Sequence, residues 1–163
     1  MDHAYYLDLT LEDAELARRD GCAPVGALVV TPDGSILSRG RNRVLSGGDQ
    51  TTHAEVDAIR NAGAAVAPDR TPPRVLYTSA EPCLLCLGAI LYCAIDTVVW
   101  AASSVSGSTY DIWRAHGLSY PRPPVLDVVR EPLPDHRRRS RALLRAFALE
   151  SGDVGRAELL RDD

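Results

Sequence analysis

The period of the apolar residues changes several times along the chain, and each change predicts an element. "LEDAELARRD", residues 11 to 20, has acids early and arginines late. It predicts a helix capped by Thr10 and stopped at Gly21. "PVGALVV" at 24–30 is a short apolar run rich in valine, as in a buried strand. "PDG" then turns the chain and "SILSRG" brings it back, which completes a hairpin. After the loop "LSGGDQ", "HAEVDAIRNAG" at 53–63 sets Val56, Ile59 and Ala62 on one face of a helix ending at Gly63. The proline-rich connector "APDRTPPR" leads into "RVLYTSA" at 74–80, a strand that must stop before Pro82. "CLLCLGAILYCA" at 83–94 is apolar nearly all round, the pattern of a buried helix. "DTVVWAA" predicts a further strand, "SSVSGSTYDIWRAHG" a loop passing into a short helix, "PRPPVLDVVRE" a last strand and "DHRRRSRALLRAFALE" a C-terminal helix.

Helices alternating with strands imply an α/β fold of three layers, α/β/α, around a central mixed sheet of about five strands. The early hairpin supplies the antiparallel part. Residues 1–151 make one expected domain, and 152–163 a loose polar tail. At 163 residues the chain can bury a real core. It has no apolar run long enough for a membrane helix, and "MDHAYYLDLT" lacks the pattern of an export signal, so a cytoplasmic location is expected.

A formal net charge of -4 and a pI near 5.5 weigh against a polynucleotide partner, although "DHRRRSR" is a local basic patch. All 18 basic residues are arginine, which excludes Schiff-base chemistry, a lysine nucleophile and a Walker-type phosphate lysine. The four cysteines, Cys22, Cys83, Cys86 and Cys93, are too few and too clustered for a disulfide scaffold, and point to metal or redox chemistry.

Two predicted strand-to-helix junctions carry that chemistry. His53 and Glu55 sit at the start of one helix, and Cys83 and Cys86 in the first turn of another; in parallel α/β units such junctions gather on one edge of the sheet. One histidine and two cysteines form a soft donor set that suits Zn²⁺ and leaves a fourth tetrahedral position for water or hydroxide. Glu55 fits as the proton carrier beside the metal rather than a further ligand. Cys93 lies two helical turns from Cys86, too far to share the ion, and is expected as a core thiol; Cys22 is expected in the core or a loop. A thioredoxin-like dithiol is the rival for Cys83 and Cys86, but the upstream H-x-E and the preceding Glu-Pro fit the zinc site better.

The pair "HAE" at 53–55 and "EPCLLC" at 81–86 matches the H-x-E…P-C-x-x-C signature of zinc nucleobase deaminases. With "PVGALVV", "GRN" at 40–42, "LYTSAEPCLLCLGAI" and "DTVVWAA", most of residues 10 to 102 resembles the cytidine deaminase superfamily. "HAEVDAIRNA" and "TSAEPC" are most similar to bacterial guanine deaminases and other free-base deaminases. The resemblance implies a hydrolytic deaminase, commonly a homodimer, that releases ammonia from a nucleobase or related small amino-heterocycle, guanine ahead of cytosine. It also implies that Asn42 hydrogen-bonds the base, that the backbone near Ala54 and Glu81 lines the pocket, and that an acid in the C-terminal third, for which Asp111 is the candidate, moves a second proton. A cytosine/cytidine-type deaminase, a tRNA adenosine deaminase, an inactive deaminase-fold binding module and a structural-zinc protein are the alternatives. Residues 103–124 follow none of these families closely.

Some of these residues have simpler roles to weigh. Asn42 could hold a turn, and Asp111 could cap the helix before "IWRAHG". Trp113, with Tyr110 and His116, could stack on a base or simply fill the core. The arginines of "DHRRRSRALLRAF" could touch nucleic acid or form the solvated face of a helix whose Leu143, Leu144 and Phe147 turn inward.

Overall fold

The computed structural model describes residues 1–116 and 126–161. Within them the chain runs α1 (His3–Arg19), β1 (Gly26–Val30), β2 (Ile36–Arg41), α2 (Val44–Gly47), α3 (Ala54–Ala62), a 3₁₀ turn at Gly63–Val66, β3 (Arg74–Ala80), α4 (Leu84–Leu91), β4 (Ile95–Ala102), α5 (Thr109–His116), β5 (Asp127–Arg130), α6 (Pro134–Glu150) and α7 (Val154–Leu159). The five strands form one mixed sheet in the order β2-β1-β3-β4-β5. β1 is antiparallel to β2 and β3, while β3–β4 and β4–β5 are parallel. The expected α/β/α architecture is therefore observed.

The period-2 alternation of the strands divides the core in two. Ala27, Val29, Leu76, Val98 and Trp100 point to one face, against Ala54 and Ala58 of α3 and Leu87 and Ile90 of α4. Leu28, Val30, Val75, Tyr77, Val99 and Ala101 point to the other, where Tyr6 and Leu7 of α1 cover them. α6 lies on the α1 side. Two glycines let helices approach the sheet closely. A Cβ on Gly40 would lie 2.2 Å from Ala58 N and 2.6 Å from Ala54 O, and one on Gly26 would lie 2.2 Å from Thr10 O. Gly40 thus sets the depth at which α3, and so the start of that helix, rests on β2.

Three expectations change. α1 begins eight residues earlier than the polar pattern suggested, because Asp2 caps it through Ala4 and Tyr5 N–H; Thr10 lies inside the helix, where its buried hydroxyl donates to Leu7 O. α2 is a single short helical turn within the segment expected as a loop. The segment expected as a loose tail contains α7, capped by Asp153 and anchored by the buried side chains of Ala157 and Leu160. Part of the expected strand "PRPPVLDVVRE" and of the segment 103–124 falls in 117–125, outside the described residues.

Candidate active site

His53 and Cys83 each occupy the residue just before a helix. His53 is the N-cap of α3 and Cys83 that of α4, both with extended backbone. Leaving the helix one residue early frees His53 from the 100° step of the helical residues, so that it and Glu55 can serve one site from a two-residue spacing. Cys86, in the first turn of α4, completes the group. The Sγ atoms of Cys83 and Cys86 are 3.7 Å apart, and Cys83 Sγ is 3.5 Å from His53 Nδ1. The three donor atoms all lie within 4.8 Å of one another.

These separations test whether a metal fits. With Zn–S near 2.3 Å and Zn–N near 2.05 Å, tetrahedral coordination requires S···S of about 3.8 Å and N···S of about 3.6 Å. Cys83 already stands at those spacings from both Cys86 and His53, with Nδ1 as the ring nitrogen turned inward. Thiol protonation is divided unevenly. The hydrogen bond between Cys83 and Cys86, aided by His53 and the start of α4, pulls Cys83 down to about 5. Cys86 is driven the other way by the same hydrogen bond, by burial and by the Glu55 carboxylate. Cys93 packs against the core, where burial raises its thiol, and Cys22 is buried beside Ser46; neither joins the donor group.

Glu55 is 3% exposed. Its Oε2 lies 3.2 Å from Cys86 Sγ and its Oε1 accepts from Thr78 Oγ1 at 3.1 Å. Burial pushes its carboxyl above the ordinary range, against the hydrogen bonds that favour the ion. A carboxyl raised in this way, beside a metal-ligand set, is suited to taking and returning a proton. Thr78 is a participant that sequence reasoning missed. The alternation of β3 was the available signal, because Thr78 shares the face of Leu76, toward α3.

These groups form the floor of a cavity of about 460 Å³, a volume suited to a small organic ligand. Its walls include Asn42, Ala54, Glu81, Ser103, Ser104, Val105, Ser106 and Thr109. Asn42 is in part the turn residue weighed above, since its Oδ1 accepts from Val44 N–H at 3.1 Å; that bond also fixes how the amide stands in the wall. The Glu81 carboxylate accepts from Ser104 N–H, the Ser108 hydroxyl and, at 3.4 Å, Tyr110 N–H. It ties the turn before the cysteines to the 103–109 loop.

The structure does not bring Asp111 or Trp113 to this wall. Asp111 is exposed and paired with both terminal guanidinium nitrogens of Arg130, which holds its carboxyl below the usual range; Ser108, not Asp111, caps α5. Trp113 is buried with Tyr110 and Trp100 in the core, a π cluster over which Arg130 stacks. The far wall is instead built by Leu144 and Phe147 of α6 and by Arg156 and Leu160 in and after α7, none of which was expected to face a ligand.

A family model described as the cytidine and deoxycytidylate deaminase zinc-binding region matches residues 1–102. Guanine deaminase of Bacillus subtilis is 44% identical over 79 residues, which cover 48% of this chain and 50% of that protein. A tRNA-specific adenosine deaminase of Buchnera aphidicola is 36% identical over 100 residues, 61% of this chain and 66% of its own. The chain thus spans about half to two thirds of the length of these relatives. Among solved structures, the guanine deaminase of Nitrosomonas europaea superposes with a TM-score of 0.70 at 28% identity, covering 91% of this chain and 85% of that one. The family match, the sheet order and the His-Cys-Cys group agree: the chain belongs to the cytidine and deoxycytidylate deaminase zinc-binding family.

Proposed function

We propose that this protein is a zinc-dependent hydrolytic deaminase acting on a free nucleobase or related amino-heterocycle, with guanine as the first candidate. The observation that carries the reading is the buried Glu55 carboxylate set between Thr78 and Cys86 on the floor of a ligand-sized cavity. His53, Cys83 and Cys86 would hold the metal. Zinc, when bound, supplies the Lewis acidity that makes water a nucleophile near neutral pH. For guanine, water oxygen bonds to C2, the C2–N bond breaks, and the products are xanthine and ammonia. Glu55 takes the proton from water and returns it first to the ring nitrogen and then to the departing amine. Asn42 and the backbone at Ala54 and Glu81 orient the ring. The 44% identity to the Bacillus guanine deaminase and the Nitrosomonas match over 91% of the chain, well beyond residues 1–102, support guanine. Assembly as a homodimer belongs to the same reading; Leu84, Leu85 and Tyr92, exposed along one face of α4, offer an apolar surface for it.

A tRNA adenosine deaminase is the second reading, favoured by the Buchnera relative. That relative removes the weight that the acidic balance of the chain carried against a nucleic-acid partner. The deciding experiment is an ammonia-release screen of the zinc-loaded protein on guanine, cytosine, adenine, their nucleosides, aminotriazines and an anticodon stem-loop. Turnover of guanine supports the first reading. Ammonia from the stem-loop alone overturns it in favour of the second.

A further inference from the structure

Arg156 is the one permanently cationic side chain on the cavity wall among the described residues. Four arginines of neighbouring elements are ion-paired: Arg18 with Glu150, Arg41 with Asp20, Arg43 with Asp57, Arg130 with Asp111. Arg156 forms no ion pair among the described residues. The residue is exposed, and its backbone is set by the Asp153 cap, which accepts from Arg156 N–H at 3.0 Å, and by the buried neighbours Ala157 and Leu160. Beside it the wall is apolar, formed by Leu144, Phe147 and Leu160. The second carboxylate on the wall, Glu81, is already occupied by three donors.

Arg156 and the metal-ligand candidates reach the cavity from different layers. His53, Glu55, Cys83 and Cys86 come from α3 and α4, which cover one face of the sheet; α6, which carries α7, covers the other. A purine with C2 at the metal ligands turns its imidazole edge away from them. In guanine that edge bears two acceptors, N7 with O6 beside it, and a guanidinium is the side chain that pairs with both at once. Adenine presents a donor at N6, which a guanidinium repels. We propose that Arg156 is a specificity-determining residue that donates to N7 and O6 of guanine. The proposal rests on the guanine reading above and deepens it.

The test compares kcat/KM for guanine and 7-deazaguanine, which has a C–H in place of N7, in zinc-loaded wild type and Arg156→Gln. Differences in the intrinsic reactivity of the two bases cancel between the enzymes. The wild type should prefer guanine by about tenfold beyond that intrinsic difference. In Arg156→Gln the preference should collapse toward the intrinsic ratio, through a higher KM for guanine, with zinc content and melting temperature unchanged. Wild type and variant turning over guanine with the same preference would overturn the role of Arg156 and leave the guanine reading standing. No ammonia from guanine with wild type would overturn both.

Discussion

Thr78 Oγ1 and Glu55 Oε1 lie 3.1 Å apart in a region closed to solvent. The hydroxyl has one proton and two acceptors at that distance, Glu55 and Ala80 O, and the carboxylate is the stronger. Thr78 therefore fixes how Glu55 stands against Cys86. Thr78→Val keeps the shape and removes the bond. It should lower kcat about tenfold, the equivalent of about 1.4 kcal/mol, with KM nearly unchanged. Thr78→Ser should restore most of the loss. Steady-state kinetics of both variants check this; an unchanged kcat in Thr78→Val removes Thr78 from the account.

The two thiols should titrate far apart in metal-stripped protein. Cys83 is lowered to about 5, so it is a thiolate above that pH and is protonated as pH falls through it. Cys86 is raised and keeps its proton at neutrality. Alkylation by iodoacetamide, followed by peptide mass analysis, should modify Cys83 first, at a rate that rises around pH 5 and is flat above pH 7. A rate that climbs instead between pH 8 and 9 contradicts the assignment. Because both sulfurs must be deprotonated to hold zinc, acid should also release the metal.

Gly40 should tolerate no side chain. A Cβ there meets backbone of α3 at 2.2 Å and 2.6 Å, and backbone cannot swing aside as a flexible side chain can. Gly40→Ala should cost about 3 kcal/mol, which lowers the melting temperature by about 6–12 °C in a chain of this size. It should also weaken zinc retention, because the displaced helix carries His53 at its start. Calorimetry and metal analysis on the same sample test both parts.

Glu81 holds the loop wall rather than the metal. Glu81→Ala should leave zinc in place and raise hydrogen exchange at the Ser104 and Tyr110 amides by at least about tenfold, since these lose their acceptor. Protection unchanged at both amides would show that the loop is held by other contacts, such as Ser103 N–H to Glu131.

The metal end of the site was legible because its chemistry is local. Two short motifs fix residue types and spacing, and the α/β order brings their junctions to one edge. The mixed, roughly five-stranded character of the sheet followed from the alternation of periods for the same reason, though not its strand order. Other parts depend on three-dimensional partners that no local pattern records. Asp111 has the composition of a cap or a proton carrier until Arg130 claims it from β5. Trp113 looks the same in sequence whether it stacks on a ligand or on Tyr110. Leu144 and Phe147 have the helical spacing of core residues, and facing a cavity leaves the same signature. Arg156 sits in a polar stretch whose helix depends on burying only Ala157 and Leu160.

The central claim is that Glu55 moves protons beside a metal it does not hold. Glu55→Gln keeps the size and the hydrogen-bonding oxygen but cannot carry the proton. The most direct measurement is zinc content and ammonia release on the same preparations of wild type and this variant. One zinc per chain in both, with turnover lowered by about a thousandfold or more in Glu55→Gln, is the predicted result. Substantial residual turnover in the zinc-replete variant, or loss of zinc on substitution, would contradict it.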